Sequence, residues 1–497
     1  HNHHNSAAMS KPSSNMLNRE FSMNIRVTDE CAGRRGSGSS GIEKGRMVIA
    51  IRDMIPGEIA VSTPALGAVL HEHQFGRHCD FCFVAIGTET GTKALRCSRC
   101  LTVCYCSRAC QSADWKAGHS IECTARKGLG EALLAAGFQG NDVVKDAILA
   151  CRCIRATAKG GTGPTGSIED LESLADKSNQ AEMDMFKCIG LAVAEFSPKL
   201  VGQTGFSCAA ADAVQDAFMK FRSNNFAVTD DLMIALGAGC YPVGAMLNHS
   251  CEPNCILTYE FAPGKMPKQV IRVTEKIQAG QELTHSYVEI GAPSWERHAE
   301  LMEAYGFECN CSACRDDKYT MVQDTLLTST VDASGVLTSK KFKGICMLPL
   351  AEPLLERDVE LSKAENFLDE AWDEENVQKE LDLINEACRL RCRWLNPRHV
   401  DIFETHQRAH RAAMAGKNWP EAAKHCKKMI EHYQGAYPAW HPLIGIQMEV
   451  MAELCEMLND LEEARKWYHK AFAVLAITHG RENTMVRSLQ ERLQELG

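Results

Sequence analysis

Cysteine and histidine residues recur in closely spaced pairs between residues 79 and 123. Within each pair only two or three residues separate the ligands, so one short loop can place both on the same ion. Thiolate sulfur and imidazole nitrogen suit tetrahedral Zn²⁺, and eight such ligands imply two ions. Four protein ligands leave no open position for a substrate, which indicates structural zinc. The pairs are Cys79 and Cys82, Cys97 and Cys100, Cys106 and Cys110, and His119 and Cys123.

The spacing alone leaves the pairing of these ligands open. It permits two sequential fingers or disulfides as well as an interleaved arrangement. The chain has 24 cysteines, and no secretory signal is visible at its start. That combination favours a reducing compartment with metal-bound or buried thiols. Cys104 falls outside the pattern and is expected to be a bystander.

Further candidate residues lie much later in the chain, in segments with strand and turn character. One stretch is Asn248-His249-Ser250-Cys251, and another is Glu282-Leu283-Thr284-His285-Ser286-Tyr287. Three more cysteines follow at Cys309, Cys311 and Cys314. These motifs together resemble the centre of the SET domain, which transfers a methyl group from S-adenosylmethionine to a lysine.

The cysteine-rich segment is similar to the MYND zinc finger, including Tyr105, Gln111 and Trp115. Both resemblances together indicate the SET and MYND domain (SMYD) family of protein-lysine methyltransferases. Such fingers dock proline-rich peptides, so the resemblance implies a proline-rich partner. It also implies a lysine-containing protein or histone tail as substrate.

The resemblance implies a role for each matching residue. Tyr287 corresponds to the tyrosine that faces the transferred methyl group, and Tyr305 would line the lysine channel. We expect both to be catalytic. The residues expected to bind S-adenosylmethionine are Lys44, Gly45, Arg46, Asn224, Asn248, His249, Tyr287 and Phe307.

The resemblance also implies how the zinc ligands are shared among three structural ions. The finger would interleave its pairs, and a third ion would tie the post-SET segment to the core. The implied sets are Cys79, Cys82, Cys106 and Cys110; Cys97, Cys100, His119 and Cys123; and Cys251, Cys309, Cys311 and Cys314.

One residue departs from the family pattern near the expected cofactor site. The family has a Lys/Arg-Gly-x-Gly turn, and here Met47 replaces its second glycine. Glycine permits backbone conformations and close approaches that other residues hinder. Met47 therefore favours an alternative function, in which an inactive SET scaffold presents the finger as an adaptor.

These residues must be positioned by strands and helices, and the order of the predicted strands and helices indicates an α+β multidomain fold. A β-rich SET fold would be split by the finger and a helical insert, and a TPR-like all-α domain would follow. Met47 to Val61 is predicted to form a hairpin, and Leu461, Ala464, Tyr468, Ala471 and Leu475 one buried helix face. The expected boundaries are a disordered tail at 1–40, SET at 41–74, the finger at 79–123, the insert at 124–226, the SET core at 227–290, post-SET at 291–316 and helices at 317–497.

Charge and hydropathy exclude several functions. The net charge of −10 argues against a general nucleic-acid binder, although residues 93–127 carry seven Lys/Arg against two Asp/Glu and permit a weak DNA contact. Residues 352–382 hold twelve acids against three bases, which would attract basic substrates. No stretch is apolar enough for a membrane span, so no membrane partner is expected. We expect a monomer found in both nucleus and cytoplasm.

Overall fold

The computed structural model describes residues 24–28, 46–87, 91–140, 142–160, 165–174, 178–315, 329–331, 337–339 and 352–497. These residues form two compact units. The first takes its described residues from 24–248, 254–285 and 304–306, and the second from 249–253, 286–303 and 307–497. The predicted α+β multidomain class is confirmed, with strands and helices in the first unit and mainly helices in the second.

The expected disordered tail is wrong at one place, because Ile25–Thr28 forms a strand (β1). It pairs antiparallel with Met47–Ala50 (β2), with Ile25 opposite Ala50 and Thr28 opposite Met47. Ile25 and Val27, which point to the same face of β1, are fully buried. The strand therefore belongs to the core, although the sequence around it is rich in Ser and Gly. The rest of the predicted tail lies outside the described residues.

Two three-stranded antiparallel sheets follow in the first unit. Ile59–Pro64 (β3) pairs with Lys268–Val273 (β11), which also pairs with Cys255–Glu260 (β10). Gly67–Leu70 (β4) and Asn225–Thr229 (β7) flank Ala235–Cys240 (β8). The hairpin predicted from Met47 to Val61 is therefore wrong, since β2 and β3 bond to different partners. Only its turn is present, where the Glu58 N–H donates to the Ile55 carbonyl.

The finger and the helical insert complete the first unit. The finger contains a short antiparallel pair, Leu95–Arg96 (β5) with Cys104–Tyr105 (β6), and the helix Arg108–Asp114 (α1). Four longer helices follow, and their apolar faces share one core with β1 and β2. Their bounds are Ser120–Ala135 (α2), Asp142–Ala158 (α3), Gln180–Phe196 (α4) and Cys208–Asn224 (α5). Two short strands, Asn248–His249 (β9) and Thr284–His285 (β12), lie later in the chain.

The second unit is dominated by a helical array around a separate core. Buried alanines such as Ala409, Ala452 and Ala464 let neighbouring helices approach closely. Leu461 is exposed, unlike the rest of the predicted face, because it is the first residue of its helix. Before the array come Ser294–Glu300 (α6), Ser312–Arg315 (α7), Ser329–Val331 (β13) and Leu337–Ser339 (β14). The array comprises Glu352–Trp372 (α8), Val377–Trp394 (α9), Val400–Ala415 (α10), Trp419–Ala436 (α11), Pro442–Met457 (α12), Leu461–Thr478 (α13) and Thr484–Glu495 (α14).

Among the helices of the described residues, none is both long enough and apolar enough to cross a lipid bilayer.

Candidate zinc clusters and cofactor site

The eight predicted ligands of the finger fall into two sets of four. In each set the four ligand atoms lie within 4.8 Å of one another, which a single tetrahedral ion can bridge. The sets alternate along the chain, and Cys104 belongs to neither. They are Cys79, Cys82, Cys106 and Cys110, and Cys97, Cys100, His119 and Cys123.

Backbone groups and a helix cap hold the first set in place. The Ser107 hydroxyl caps α1 by accepting the Cys110 N–H at 3.2 Å. The Gly264 N–H donates to Cys110 Sγ at 3.0 Å, a hydrogen bond that stabilises a thiolate. Asp80 is buried, and burial raises the pKa of its carboxyl to about 6 even though its Oδ2 accepts the Cys104 N–H. The donors fit zinc, because every ligand is a thiol or an imidazole with little exposure.

A buried charge network attaches the finger to the helical insert. Glu122, next to the ligand Cys123, accepts hydrogen bonds from Arg155 at 2.7 Å and from Arg152 at 2.9 and 2.8 Å. Arg152 also reaches Asp114 at 3.3 Å, and Asp114 accepts the Tyr105 hydroxyl at 2.8 Å. Burial opposes ionisation of Glu122, but its arginine contacts outweigh this and hold its pKa well below the usual range.

The third cysteine set lies in the second unit. Cys251 follows β9, and the other members lie at and before α7; their four sulfur atoms are all within 4.8 Å of one another. Cys251 Sγ is 3.9 Å from Cys309 and 3.6 Å from Cys314, and Cys311 completes the set. These four residues therefore offer a set of thiolates that one tetrahedral ion could bridge.

Three rings that the sequence assigned to the methyl-transfer site meet in the second unit. The His249 ring centroid is 5.4 Å from that of Tyr287 and 6.1 Å from that of Phe307. The Tyr287 and Phe307 rings meet edge to face at 6.4 Å. The Tyr287 N–H donates to His249 Nδ1 at 3.0 Å, which places the neutral imidazole proton on Nε2. His249 therefore fixes the backbone of Tyr287.

Three predicted cofactor residues are linked by hydrogen bonds in the first unit. Asn248 Nδ2 donates to the Arg46 carbonyl at 3.0 Å and to Glu282 Oε1 at 2.8 Å. The Arg46 guanidinium pairs with Glu172 Oε1 at 3.1 Å. Asn224 Nδ2 donates to the Glu172 backbone carbonyl at 2.9 Å. Arg46, Asn224 and Asn248 thus belong to one network.

The remaining predicted residues are placed as follows. Tyr305 is half-buried and belongs to the first unit, whereas Tyr287 belongs to the second. Lys44 and Gly45 lie outside the described residues. Met47 is buried in the extended strand β2 and is not among the residues with a positive φ angle. Its backbone therefore does not need the left-handed conformation that favours glycine.

Sequence analysis missed Glu172, and it noted Glu282 only as the start of a motif. Glu172 lies in a loop region between α3 and α4, and no local pattern connects it with Arg46 or Asn224. Glu282 begins the Glu-Leu-x-x-x-Tyr motif, so its position beside Asn248 had a weak signal.

The finger and most of the chain are similar to known proteins. Residues 79–123 match the family model of the MYND finger. The chain is 25% identical over 478 residues to the histone-lysine N-methyltransferase ASHR1 of Arabidopsis thaliana, covering 91% of this chain and 93% of that protein. It is 26% identical to N-lysine methyltransferase SMYD2-B of Xenopus laevis, covering 91% of this chain and 96% of that protein. It is 25% identical to human N-lysine methyltransferase SMYD2, covering 93% of this chain and 99% of that protein.

Among solved structures, the N-terminal domain of stress-induced protein-1 from C. elegans is 17% identical. The match covers 27% of this chain and 95% of that chain with a TM-score of 0.21, which is too low to support a conclusion. The finger match and the near-complete alignments do support one. This chain carries a zinc-binding MYND finger and is similar along more than nine-tenths of its length to lysine methyltransferases, SMYD2 among them.

Proposed function

We propose that this protein is an S-adenosylmethionine-dependent protein-lysine N-methyltransferase. The observation that carries the proposal is the cluster of His249, Tyr287 and Phe307, in which His249 fixes the Tyr287 backbone at 3.0 Å. The network of Arg46, Asn224 and Asn248 adds the polar groups expected around the cofactor. Relatives aligned over 91–93% of this chain are named lysine methyltransferases.

The residues must solve one chemical problem, which is the protonation of the substrate amine. The sulfonium of S-adenosylmethionine supplies an activated methyl group, so in-line displacement needs no metal and no covalent intermediate. A free lysine has a pKa near 10.4, and only about one in a thousand is neutral near pH 7.4. In this proposal the substrate lysine enters an apolar channel that favours the neutral amine by desolvation. The Tyr287 hydroxyl orients its lone pair toward the methyl group.

Zinc has a structural role in this proposal. Two ions are held by the interleaved sets of the finger, and a third by Cys251, Cys309, Cys311 and Cys314. Each set offers four soft donors and no open position, so zinc would stabilise the fold and would not activate water.

The partners follow from the same assignment. We propose a lysine-containing protein or histone tail as substrate, with a preference for basic sequences because of the acids at 352–382. The finger would take proline-rich peptides. An inactive adaptor is the weaker alternative. Met47 has an ordinary strand conformation, so its backbone does not require glycine.

Titration of S-adenosylmethionine into zinc-loaded protein, followed by a lysine-peptide methylation assay, tests the proposal. We expect Tyr287→Phe to lose about a hundredfold in methylation rate, because the hydroxyl positioned at the transferred methyl group is removed while the aromatic ring stays. Basic peptides should be the better substrates.

Tyr468→Phe provides a matched control, since it makes the same chemical change in α13, within the helical array. It should leave the methylation rate unchanged. If the unaltered protein bound no S-adenosylmethionine but Met47→Gly did, the adaptor function would replace the enzyme.

A further inference from the structure

The loop that carries Tyr287 is in direct contact with the helical array. The loop comprises residues 286–292, and both it and α11 belong to the second unit. A Cβ added to Gly291 would lie 2.5 Å from Cζ and 2.6 Å from the hydroxyl oxygen of Tyr437, the residue that follows α11. Gly291 is not among the residues with a positive φ angle, so glycine is needed here for the close approach and not for the backbone conformation. Tyr437 therefore packs directly against the backbone of the loop.

One carboxylate links Tyr437 to the same loop. Glu289 Oε1 accepts the Gly291 N–H at 2.9 Å, and the Glu289 carboxylate also accepts a hydrogen bond from the Tyr437 hydroxyl. Burial and the nearby carboxylate raise the pKa of Tyr437 well above its usual range, so the hydroxyl keeps its proton and remains a donor. Hydrogen bonds to an ionised group are stronger than those between neutral groups. Glu289 is thus held from two sides, by the loop itself and by the array.

Other hydrogen bonds fix the two ends of the loop. At its start the Tyr287 N–H donates to His249 Nδ1 at 3.0 Å. At its end the Arg297 guanidinium donates to the backbone carbonyls of Ile290, at 3.5 Å, and of Ala292. Contiguous hydrogen bonds and packed side chains of this kind can carry a displacement from one residue to another. A change where the loop meets the array is therefore expected to move the tyrosine as well.

We propose that Tyr437 is a positioning residue for Tyr287, acting through Glu289 and Gly291. This inference rests on the proposed role of Tyr287 in methyl transfer. In it Tyr437 touches no reacting atom and instead determines where the Tyr287 hydroxyl lies relative to the transferred methyl group. A displacement of about 1 Å at a reacting centre can lower a rate about a hundredfold. The helical array thus contributes to the rate of the reaction.

Hydrogen exchange of residues 286–292, measured by mass spectrometry on the full-length zinc-loaded protein, tests this proposal without a methylation assay. Tyr437→Phe removes the hydrogen bond to Glu289 and keeps the ring. We expect the loop amides to exchange about tenfold faster, because one charge-assisted hydrogen bond is lost. Tyr468→Phe is the matched control, since the Tyr468 hydroxyl also donates to a carboxylate of the array, that of Glu456, and it should leave loop exchange unchanged. Unchanged loop exchange in Tyr437→Phe would overturn the proposal.

Methylation kinetics separate positioning from a purely structural role. In Tyr437→Phe we expect kcat to fall about tenfold, while KM for the peptide and for S-adenosylmethionine and the denaturant midpoint stay close to those of Tyr468→Phe. A change in KM alone would contradict the proposal, because it would indicate that Tyr437 contacts the substrate. If the unaltered protein methylated no peptide, the proposed function would fail, whereas loop exchange would still decide whether the array holds the loop.

A double-mutant cycle tests the packing contact itself. Gly291→Ala should accelerate loop exchange about tenfold, because its Cβ overlaps the Tyr437 ring. Tyr437→Leu removes Cζ and the hydroxyl, so adding Gly291→Ala to that variant should have little further effect. If Gly291→Ala accelerated exchange equally with and without Tyr437→Leu, the two residues would not be coupled and the proposal would be wrong.

Discussion

At the scale of single residues, Asn248 shows how one amide can organise a site. Its Nδ2 group donates to a backbone carbonyl and to a carboxylate at once, which uses both amide protons. The carbonyl belongs to Arg46 and the carboxylate to Glu282. The hydrogen bonds therefore hold two separate segments at the expected cofactor site.

Exchanging donor and acceptor tests this arrangement. Asn248→Asp removes both donated protons and places a second carboxylate beside Glu282. We expect the affinity for S-adenosylmethionine to fall at least about tenfold, because like charges meet and two acceptors lose their partner. Calorimetric titration measures the effect.

The double variant Asn248→Asp with Glu282→Gln restores one donor in the reverse direction. Part of the lost affinity should return, although the Arg46 carbonyl remains unpaired. Equal affinities for the single and the double variant would mean that this hydrogen bond does not organise the site.

Residue chemistry was predictable from sequence wherever ligands come in local pairs. Two cysteines with two residues between them must lie close together, so the finger ligands could be named from spacing. The contacts of Glu172 could not be predicted, since Arg46 is 126 positions away and only tertiary packing brings the two together.

At the scale of elements, close helix packing depends on individual glycines. Gly190 lies in α4 where a Cβ would overlap the carbonyl oxygen of Ala211 in α5. Gly128 lies in α2 with nothing within 4 Å of the position a Cβ would take. Both are interior helical glycines of one unit, but only Gly190 is required by its neighbour.

Alanine at these two positions should therefore have opposite effects on stability. Gly190→Ala is expected to lower the free energy of unfolding by about 1–3 kcal/mol, because α4 and α5 must move apart. Gly128→Ala should raise it by about 0.5–1 kcal/mol through helix propensity. Denaturant unfolding measures both, and destabilisation of similar size in both variants would refute the packing argument.

Helices were easier to predict than strand partners. The 3.6-residue periodicity of the insert and of the C-terminal array lies within each helix. By contrast, β3 bonds to β11 about 200 residues later, and the turn after β2 suggested a local hairpin instead. Long-range sheet pairing leaves no comparable local signal.

At the scale of the whole molecule, acid should weaken the second unit. Burial lowers the pKa of His432 and of His441 to about 4, whereas the unfolded chain titrates near 6.5. Between these values the unfolded state binds protons that the folded state excludes, so the stability present above pH 6.5 falls as the pH decreases toward 4.

His441→Phe isolates this effect. The change keeps an aromatic ring beside Tyr437, whose centroid is 4.4 Å away, but removes the titrating group. From pH 7 to 5 the unaltered protein should lose roughly 2 kcal/mol more unfolding free energy than the variant. Zinc loss in acid affects both proteins equally, so the difference between their denaturant midpoints is the measurement. Parallel pH profiles would show that His441 does not titrate in this window.

The buried network around Glu122 also constrains how such a chain can evolve. A MYND finger contains all of its own zinc ligands, so it could be expected to be an independent domain that recombination can exchange between genes. Here, however, the finger contributes Glu122 and the insert contributes Arg152 and Arg155. A foreign finger without Glu122 would leave Arg155 buried without its carboxylate and Arg152 with Asp114 alone, at a cost of about 3–5 kcal/mol. The finger and the insert are therefore expected to be inherited together, as one unit of descent.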